Sequence, residues 1–191
     1  MQTIDAIYAR RSVRKYQNTM PSDEQITTIL QAACMAPSAT NLQPWYFVAV
    51  RSNEKKAELL SFMEGVSEKM RPMLEKRFKD YPEVIKETLT FMKSLGDAPV
   101  YVLVFEQKNY EHKNFAVLQS ISAATQNLTI AAADLGLGTC WMTAPIQTGF
   151  GKIIAQKYAP DKGEMIAMLT LGYPATQPKA PKRKDDRFVI I

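Results

Sequence analysis

Histidine is nearly absent from this chain. A single one, His112, stands among 191 residues, and the two cysteines, Cys34 and Cys140, lie far apart. A zinc site or a Cys–His catalytic pair therefore has little material to draw on. His112 sits in the polar stretch Asn109-Tyr110-Glu111-His112-Lys113, which reads as a solvated loop. No apolar run is long enough to cross a membrane. Two unpaired thiols with no secretory leader fit a reducing cytoplasm. The interleaved aromatic and basic residues of an RNA-binding module are also missing. The net charge of +5 invites an anionic partner all the same. Much of that excess sits late, in Lys179, Lys182, Arg183, Lys184 and Arg187, and clustered arginine suits a phosphate-bearing cofactor as well as it suits nucleic acid.

What is present is ordinary in amount. Apolar residues make up 46% and charged residues 23%, enough over 191 residues for one domain, 1–191, with a substantial core. Thr3 to Ala9 opens on a capping residue and places Ile4, Ile7 and Tyr8 on one helical face. Ser22 begins a second helix, with Gln25 at capping-box spacing, a buried stripe of Ile26, Ile29, Leu30 and Ala33, and Pro37 as its stop. Trp45 to Val50 is a strand by its β-branched and aromatic content, with Trp45 in the core. Residues 52–96 predict two or three helices punctuated by Pro72 and Pro82 and ended by Gly96. Met63, Met70, Met73 and Met92 in that stretch are expected to fill core, although methionine also lines adaptable pockets.

Pro99 to Phe105 predicts a buried strand and Phe115 to Leu135 a long helix. The helix is rich in small residues, so a second helix can approach it closely. Thr139 to Met142 and Glu164 to Leu171 predict strands, with a helix over Thr148 to Tyr158 between them. Cys140 reads as a small buried strand residue rather than a redox thiol, because no basic neighbour in sequence activates it, and Cys34, late in a helix, reads as core too. A Pro- and Lys-rich tail, about 177–191, ends in the apolar run Phe188-Val189-Ile190-Ile191. An exposed apolar strand end is an aggregation hazard, so this run is expected to pair with a sheet edge, that of a second subunit.

Three constellations carry chemistry. Arg10-Arg11-Ser12-Val13-Arg14 puts three guanidiniums and a hydroxyl in five residues. In an extended segment Arg10, Ser12 and Arg14 share a face, and guanidinium forks match phosphate oxygens, with Arg11 turned aside or reaching around. Ala36 to Trp45 holds Pro37, Ser38, Ala39, Asn41 and Gln43. Asn41 and Gln43 each offer a donor and an acceptor, as the edge of a heteroaromatic ring requires. Gly136 to Pro145 brackets a turn that leaves backbone amides open to a ligand. It is no dinucleotide fingerprint, since its G-x-G follows a helix and lacks a third glycine.

The order R-R-S-x-R, A-P-S-x-x-N-x-Q-P-W, an Ala-rich helix into G-L-G-T-C-W, a Gly-Tyr-Pro and a basic tail resembles the nitroreductase-like family of FMN-dependent flavoproteins over nearly the whole chain. Residues 52–96 are the weakest part of the likeness. The resemblance implies an α+β three-layer sandwich, a central, mostly antiparallel sheet flanked by helices, and an intertwined homodimer with FMN at the interface. It implies that Arg10, Arg11 and Ser12 hold the FMN phosphate and ribityl chain, with Lys182 and Arg183 completing the phosphate site. Arg14 would stabilise the reduced flavin at the pyrimidine edge. Pro37, Ser38, Ala39, Asn41 and Gln43 would contact the ring from the partner subunit, and the backbone of Met142, Thr143 and Ala144 would lie near its reactive nitrogen. Some members carry serine at the position of Ala39 and a Glu-Gly pair near Thr143 and Ala144; a backbone contact survives both changes.

The implied activity is an FMN oxidoreductase that passes two electrons from NADH or NADPH to an electron-poor acceptor such as a nitroaromatic or quinone, by a ping-pong mechanism. Flavin-based chemistry needs no protein nucleophile, which accounts for the missing His and Cys. Three alternatives stand beside it. They are a relative doing other flavin chemistry such as dehalogenation or flavin degradation, a non-catalytic FMN-binding protein, and a basic nucleic-acid-binding protein, against which the ordered motifs argue.

Overall fold

The computed structural model describes residues 2–110 and 115–191; the solvated-loop reading of His112 lies outside them. Four strands form one sheet: β1 (Trp45–Val50), β2 (Val100–Glu106), β3 (Gly138–Met142) and β4 (Met165–Gly172). They run in the order β1-β2-β4-β3, and every neighbouring pair is antiparallel. A single parallel bridge joins Ser12 to Thr139 at the β3 edge.

Alternation along β2 builds two cores at once. Val100, Val102 and Val104 face one side, where they meet α2 (Asp23–Cys34) and α5 (Phe115–Asp134). Tyr101, Leu103 and Phe105 face the other, where α3 (Asn53–Arg77), α4 (Pro82–Ser94) and α7 (Phe150–Tyr158) pack. Helices on both faces make the three-layer α+β sandwich that the family resemblance implied. The short α6 (Ala144–Gln147) links β3 to α7.

Local signals behaved as their chemistry requires at α2. Ser22 Oγ accepts from the Gln25 amide at 3.1 Å and Gln25 Oε1 accepts from the Ser22 amide at 3.0 Å, a reciprocal cap. Ile26, Ile29 and Ala33 are buried, and Trp45 joins the same core. Met63, Met70 and Met92 are buried as expected.

The structure corrects five expectations. Pro72 lies inside α3, which runs unbroken for 25 residues. The lost hydrogen bond falls on the exposed side, while Met70 and Leu74 on either flank are anchored in the core. Met73 is exposed, because that same stripe turns it away. Thr3 lies within α1 (Thr3–Ala9) rather than capping it; Gln2 is the cap, without a side-chain bond. Ile4, Ile7 and Tyr8 are exposed, and the small Ala6 is the buried contact. Cys34 is also exposed: with Ala33 in the buried stripe, the next residue points about 100° around the helix. Cys140, by contrast, is buried, and burial pushes its thiol pKa up. Residues 188–191 form no strand within the chain and stand exposed, Ile190 at 91%.

Candidate functional site

Residues 10–17 leave α1 and thread along the β3 edge without becoming a strand. The Val13 amide donates to the Thr139 carbonyl at 2.9 Å, and the Tyr16 amide to the Gly96 carbonyl at 3.2 Å. Two glycines make room for this path. A Cβ on Gly138 would sit 2.5 Å from Val13 Cγ2, and one on Gly96 would sit 2.3 Å from the Arg14 carbonyl oxygen. Gly96 also takes φ +65°, between Leu95 and Asp97, which are left-handed themselves.

The three arginines emerge from that thread with different surroundings. Arg10 and Arg11 are half-buried and line a cleft of about 210 Å³ with Thr129, Gly136, Gly138 and Thr139. Arg11 Nη1 donates to the carbonyls of Tyr8, at 2.5 Å, and Arg10, at 2.8 Å, so this side chain folds back on its own backbone while lining the same cleft as Arg10. Arg14 is exposed and lies over the Phe91 ring, 5.8 Å from its centroid, in a separate cleft of about 720 Å³. Ser12 is exposed beside them. Among the described residues, no ion pair takes Arg10, Arg11 or Arg14. Half-buried guanidiniums without a carboxylate are a donor set suited to an anion.

The second constellation is a strained loop. Thr40, Asn41 and Gln43 have φ of 50°, 56° and 46°, an unusual density of left-handed residues without glycine. The loop holds itself in that shape. Ser38 Oγ accepts from the Gln43 amide at 3.0 Å, and Gln43 Nε2 donates to Asn41 Oδ1 at 3.0 Å. The Ala39 amide donates to Ser120 Oγ of α5 at 3.2 Å. Pro37, Ala39, Asn41 and Gln43 are exposed and Ser38 is half-buried.

The third constellation closes β3. Met142 ends the strand buried, Thr143 precedes α6 exposed, and Ala144 opens the helix buried. In the first turn of α6, Pro145 has no N–H, and the Ile146 and Gln147 amides donate to the Thr143 carbonyl at 3.0 and 3.1 Å. Gln147 Nε2 also donates to Thr143 Oγ1 at 3.0 Å.

Within one chain these parts do not all converge. The strained loop meets α5 at Ser120, whereas the cleft of Arg10 and Arg11 meets it at Thr129 and Ala133. Nine to thirteen helical residues separate those points, roughly 14–20 Å at about 1.5 Å per residue. Lys182 and Arg183 lie on the exposed tail, outside the Arg10 cleft, which the tail reaches only through Gln177. Sequence reasoning missed Tyr16, Gly96 and Thr170, which hold the arginine thread, and counted Ser120 only as small. A serine on the buried face of an apolar helix was the available signal for Ser120.

This geometry has relatives. The model of the Nitroreductase family matches residues 7–173. A protein of Archaeoglobus fulgidus, provisionally named NADH dehydrogenase/NAD(P)H nitroreductase, is 31% identical over 189 residues, 98% of this chain and 93% of its own. The chain therefore belongs to the nitroreductase family, and it is an oxidoreductase. The BluB-like flavoprotein of Clostridium difficile 630 superposes with a TM-score of 0.75 at 28% identity, over 100% of this chain and 99% of that one. Oxidised iodotyrosine deiodinase, solved with FMN and 3-iodo-L-tyrosine, superposes with a TM-score of 0.77 at 25% identity, over 100% and 97%.

Proposed function

We propose that the protein is a cytoplasmic homodimer that binds FMN at its subunit interface and carries two electrons from NADH or NADPH to an electron-poor acceptor such as a nitroaromatic or a quinone. The observation that carries this reading is the pair of half-buried guanidiniums, Arg10 and Arg11, that no carboxylate among the described residues takes, beside the glycine-lined end of β3. When bound there, FMN supplies two-electron chemistry in ping-pong order, hydride in from the nicotinamide and electrons out to the acceptor.

The protein's part is binding and electrostatics. Arg10 and Arg11, with the Ser12 hydroxyl, neutralise and hydrogen-bond the phosphate; Arg11 uses only Nη1 on its own backbone and keeps its other N–H groups for the ligand. Lys182 and Arg183 add charge from the tail. Arg14 brings a cation to the side of the ring where reduction places negative charge. Asn41 and Gln43 satisfy each other through one amide hydrogen and one carbonyl oxygen. That leaves an Asn41 donor and a Gln43 acceptor for the ring edge, alongside Pro37, Ser38 and Ala39. The backbone of Met142, Thr143 and Ala144 offers amides near the reactive nitrogen. The separation along α5 favours a shared site, because a twofold axis lets the loop of one subunit meet the arginines of the other.

The decisive experiment is the visible spectrum of the purified protein, followed by anaerobic addition of NADH and then NADPH. A yellow protein that bleaches with either donor, and gives parallel double-reciprocal lines with a nitroaromatic or quinone, is the expected result. A yellow protein that does not bleach shifts weight to flavin binding without turnover. One that bleaches but reduces only haloaromatics shifts it to the chemistry of the deiodinase relative. A colourless protein that takes up no FMN overturns the reading.

A further inference from the structure

The buried hydroxyl of Tyr16 has no part in the site described so far, yet it holds the backbone that carries Arg14. Tyr16 Oη lies 2.7 Å from the Val13 carbonyl oxygen and 2.6 Å from Thr170 Oγ1. A carbonyl can only accept and a phenol has one hydrogen. The direction of both bonds is therefore set: Thr170 donates to Tyr16, and Tyr16 donates to Val13. The relay begins on β4, in the middle of the sheet, and ends on the peptide joining Val13 to Arg14.

Other contacts fix the same short stretch. The Val13 amide is bonded to Thr139, and its side chain fills the space that the missing Cβ of Gly138 leaves. The Arg14 carbonyl rests on Gly96, and the next residue, Lys15, accepts from the Ala175 amide at 3.0 Å. Arg14 is thus immobilised on both peptide flanks, while among the described residues its guanidinium forms no ion pair; it lies over the Phe91 ring and, at 3.5 Å, donates to the Ser12 carbonyl. Thr170 is wholly buried and Val13 and Tyr16 nearly so, which means water cannot substitute for a bond that is lost. Burial also holds the Tyr16 phenol in its neutral, donating form by pushing its pKa well above the usual tyrosine range.

We propose that Tyr16 is a positioning residue that acts through Arg14: its hydroxyl sets the Val13–Arg14 peptide so that the Arg14 cation meets the flavin ring. This inference rests on the FMN reading above. Removing the hydroxyl lets the peptide tilt and the cation drift. Flavin affinity should fall by up to about tenfold, a single buried hydrogen bond's worth. The bound flavin's two-electron midpoint potential should fall with it, because the reduced, anionic form loses a nearby charge.

The test is a double-mutant cycle of Tyr16→Phe and Arg14→Ala, read by FMN fluorescence titration and by the midpoint potential of bound flavin. The expected result is that Tyr16→Phe shifts both quantities and that the double variant shifts the potential no further than Arg14→Ala alone. Additive shifts in the potential, or no shift for Tyr16→Phe, overturn the inference while leaving the FMN reading intact. A wild-type protein that binds no FMN overturns both. Should Tyr16→Phe not fold, Thr170→Val removes the donor behind Tyr16 and is expected to move the potential in the same direction by less; an unchanged potential there counts against the relay.

Discussion

Ala39 and Ser120 are tied by a hydrogen bond of 3.2 Å, from a strained loop's backbone amide to a hydroxyl on α5. Ser120 in turn donates to the Ala116 carbonyl at 2.6 Å, so its oxygen is oriented toward the loop. Through this pair a helix buried against the sheet sets the position of a loop that is otherwise exposed. Ser120→Ala should cost about 0.5–1.5 kcal/mol of stability in chemical denaturation and weaken FMN binding in titration. Equal FMN affinity in the variant would show that the loop keeps its shape without the helix.

Arg10 is read as a phosphate ligand, and that role separates FMN from riboflavin. Arg10→Ala should lose about 1.5–3 kcal/mol of FMN affinity, because a charge-assisted bond to a dianion disappears. Riboflavin, which has no phosphate, should bind wild type and variant alike. Fluorescence titration with both ligands checks this; a parallel loss for riboflavin would place Arg10 elsewhere on the flavin.

Gly96 combines φ +65° with a carbonyl oxygen 2.3 Å from where a Cβ would stand. Gly96→Ala therefore meets two penalties, a left-handed backbone and a clash with Arg14 that no side-chain motion relieves. A loss of about 1–3 kcal/mol is expected in urea unfolding. Gly136→Ala is the control, since its φ is +74° but its Cβ would meet open space. It should cost less.

Glu106 carries a raised pKa, first from burial and then from the nearby charge of Glu164. Between the ordinary value of 4.5 and that raised value, the folded state binds more protons than the unfolded one. The group therefore favours folding at low pH, and this contribution is lost as pH rises through that interval. Glu106→Gln should raise the unfolding midpoint at pH 7 and leave it nearly unchanged at pH 4. Thermal melts at the two values decide it.

Residues 188–191 present four apolar side chains to solvent within one chain, as Ile4, Ile7 and Tyr8 of α1 and Phe115 and Leu118 of α5 also do. Such surface is costly to leave wet. Truncation after Arg187 should weaken the proposed dimer, seen as a shift toward monomer by light scattering on dilution. A dimer that survives the truncation with unchanged dissociation would free the tail of any role in assembly.

Much of the candidate site could be read in the chain as hydrogen-bonding capacity, because that chemistry is local. Arginine forks, an Asn and a Gln in a short loop, and glycines at a turn declare hydrogen-bonding capacity by residue type alone. The capping box of Ser22 and Gln25 was equally plain, since both partners lie within one turn. Pro72 was misread because a proline's local cost is small beside the burial of Met70 and Leu74, which only the packed helix reveals. Cys34 was misread because burial depends on which side of α2 faces the sheet, a matter of one residue's rotation.

The sequence by itself determined most of the elements, the apolar run that gives the sheet two buried faces, and a stock of clustered cations. Periodicity and side-chain chemistry act over a few residues, and the chain states both directly. The tertiary structure decided where those groups stand. It sent Arg10 and Arg14 into different clefts, put roughly half a helix between the arginines and the Ala39 loop, and joined Tyr16 to Thr170 across 154 positions of sequence. Those relationships arise from long-range packing, in which a contact forms only when two distant segments are brought to the same place by everything between them.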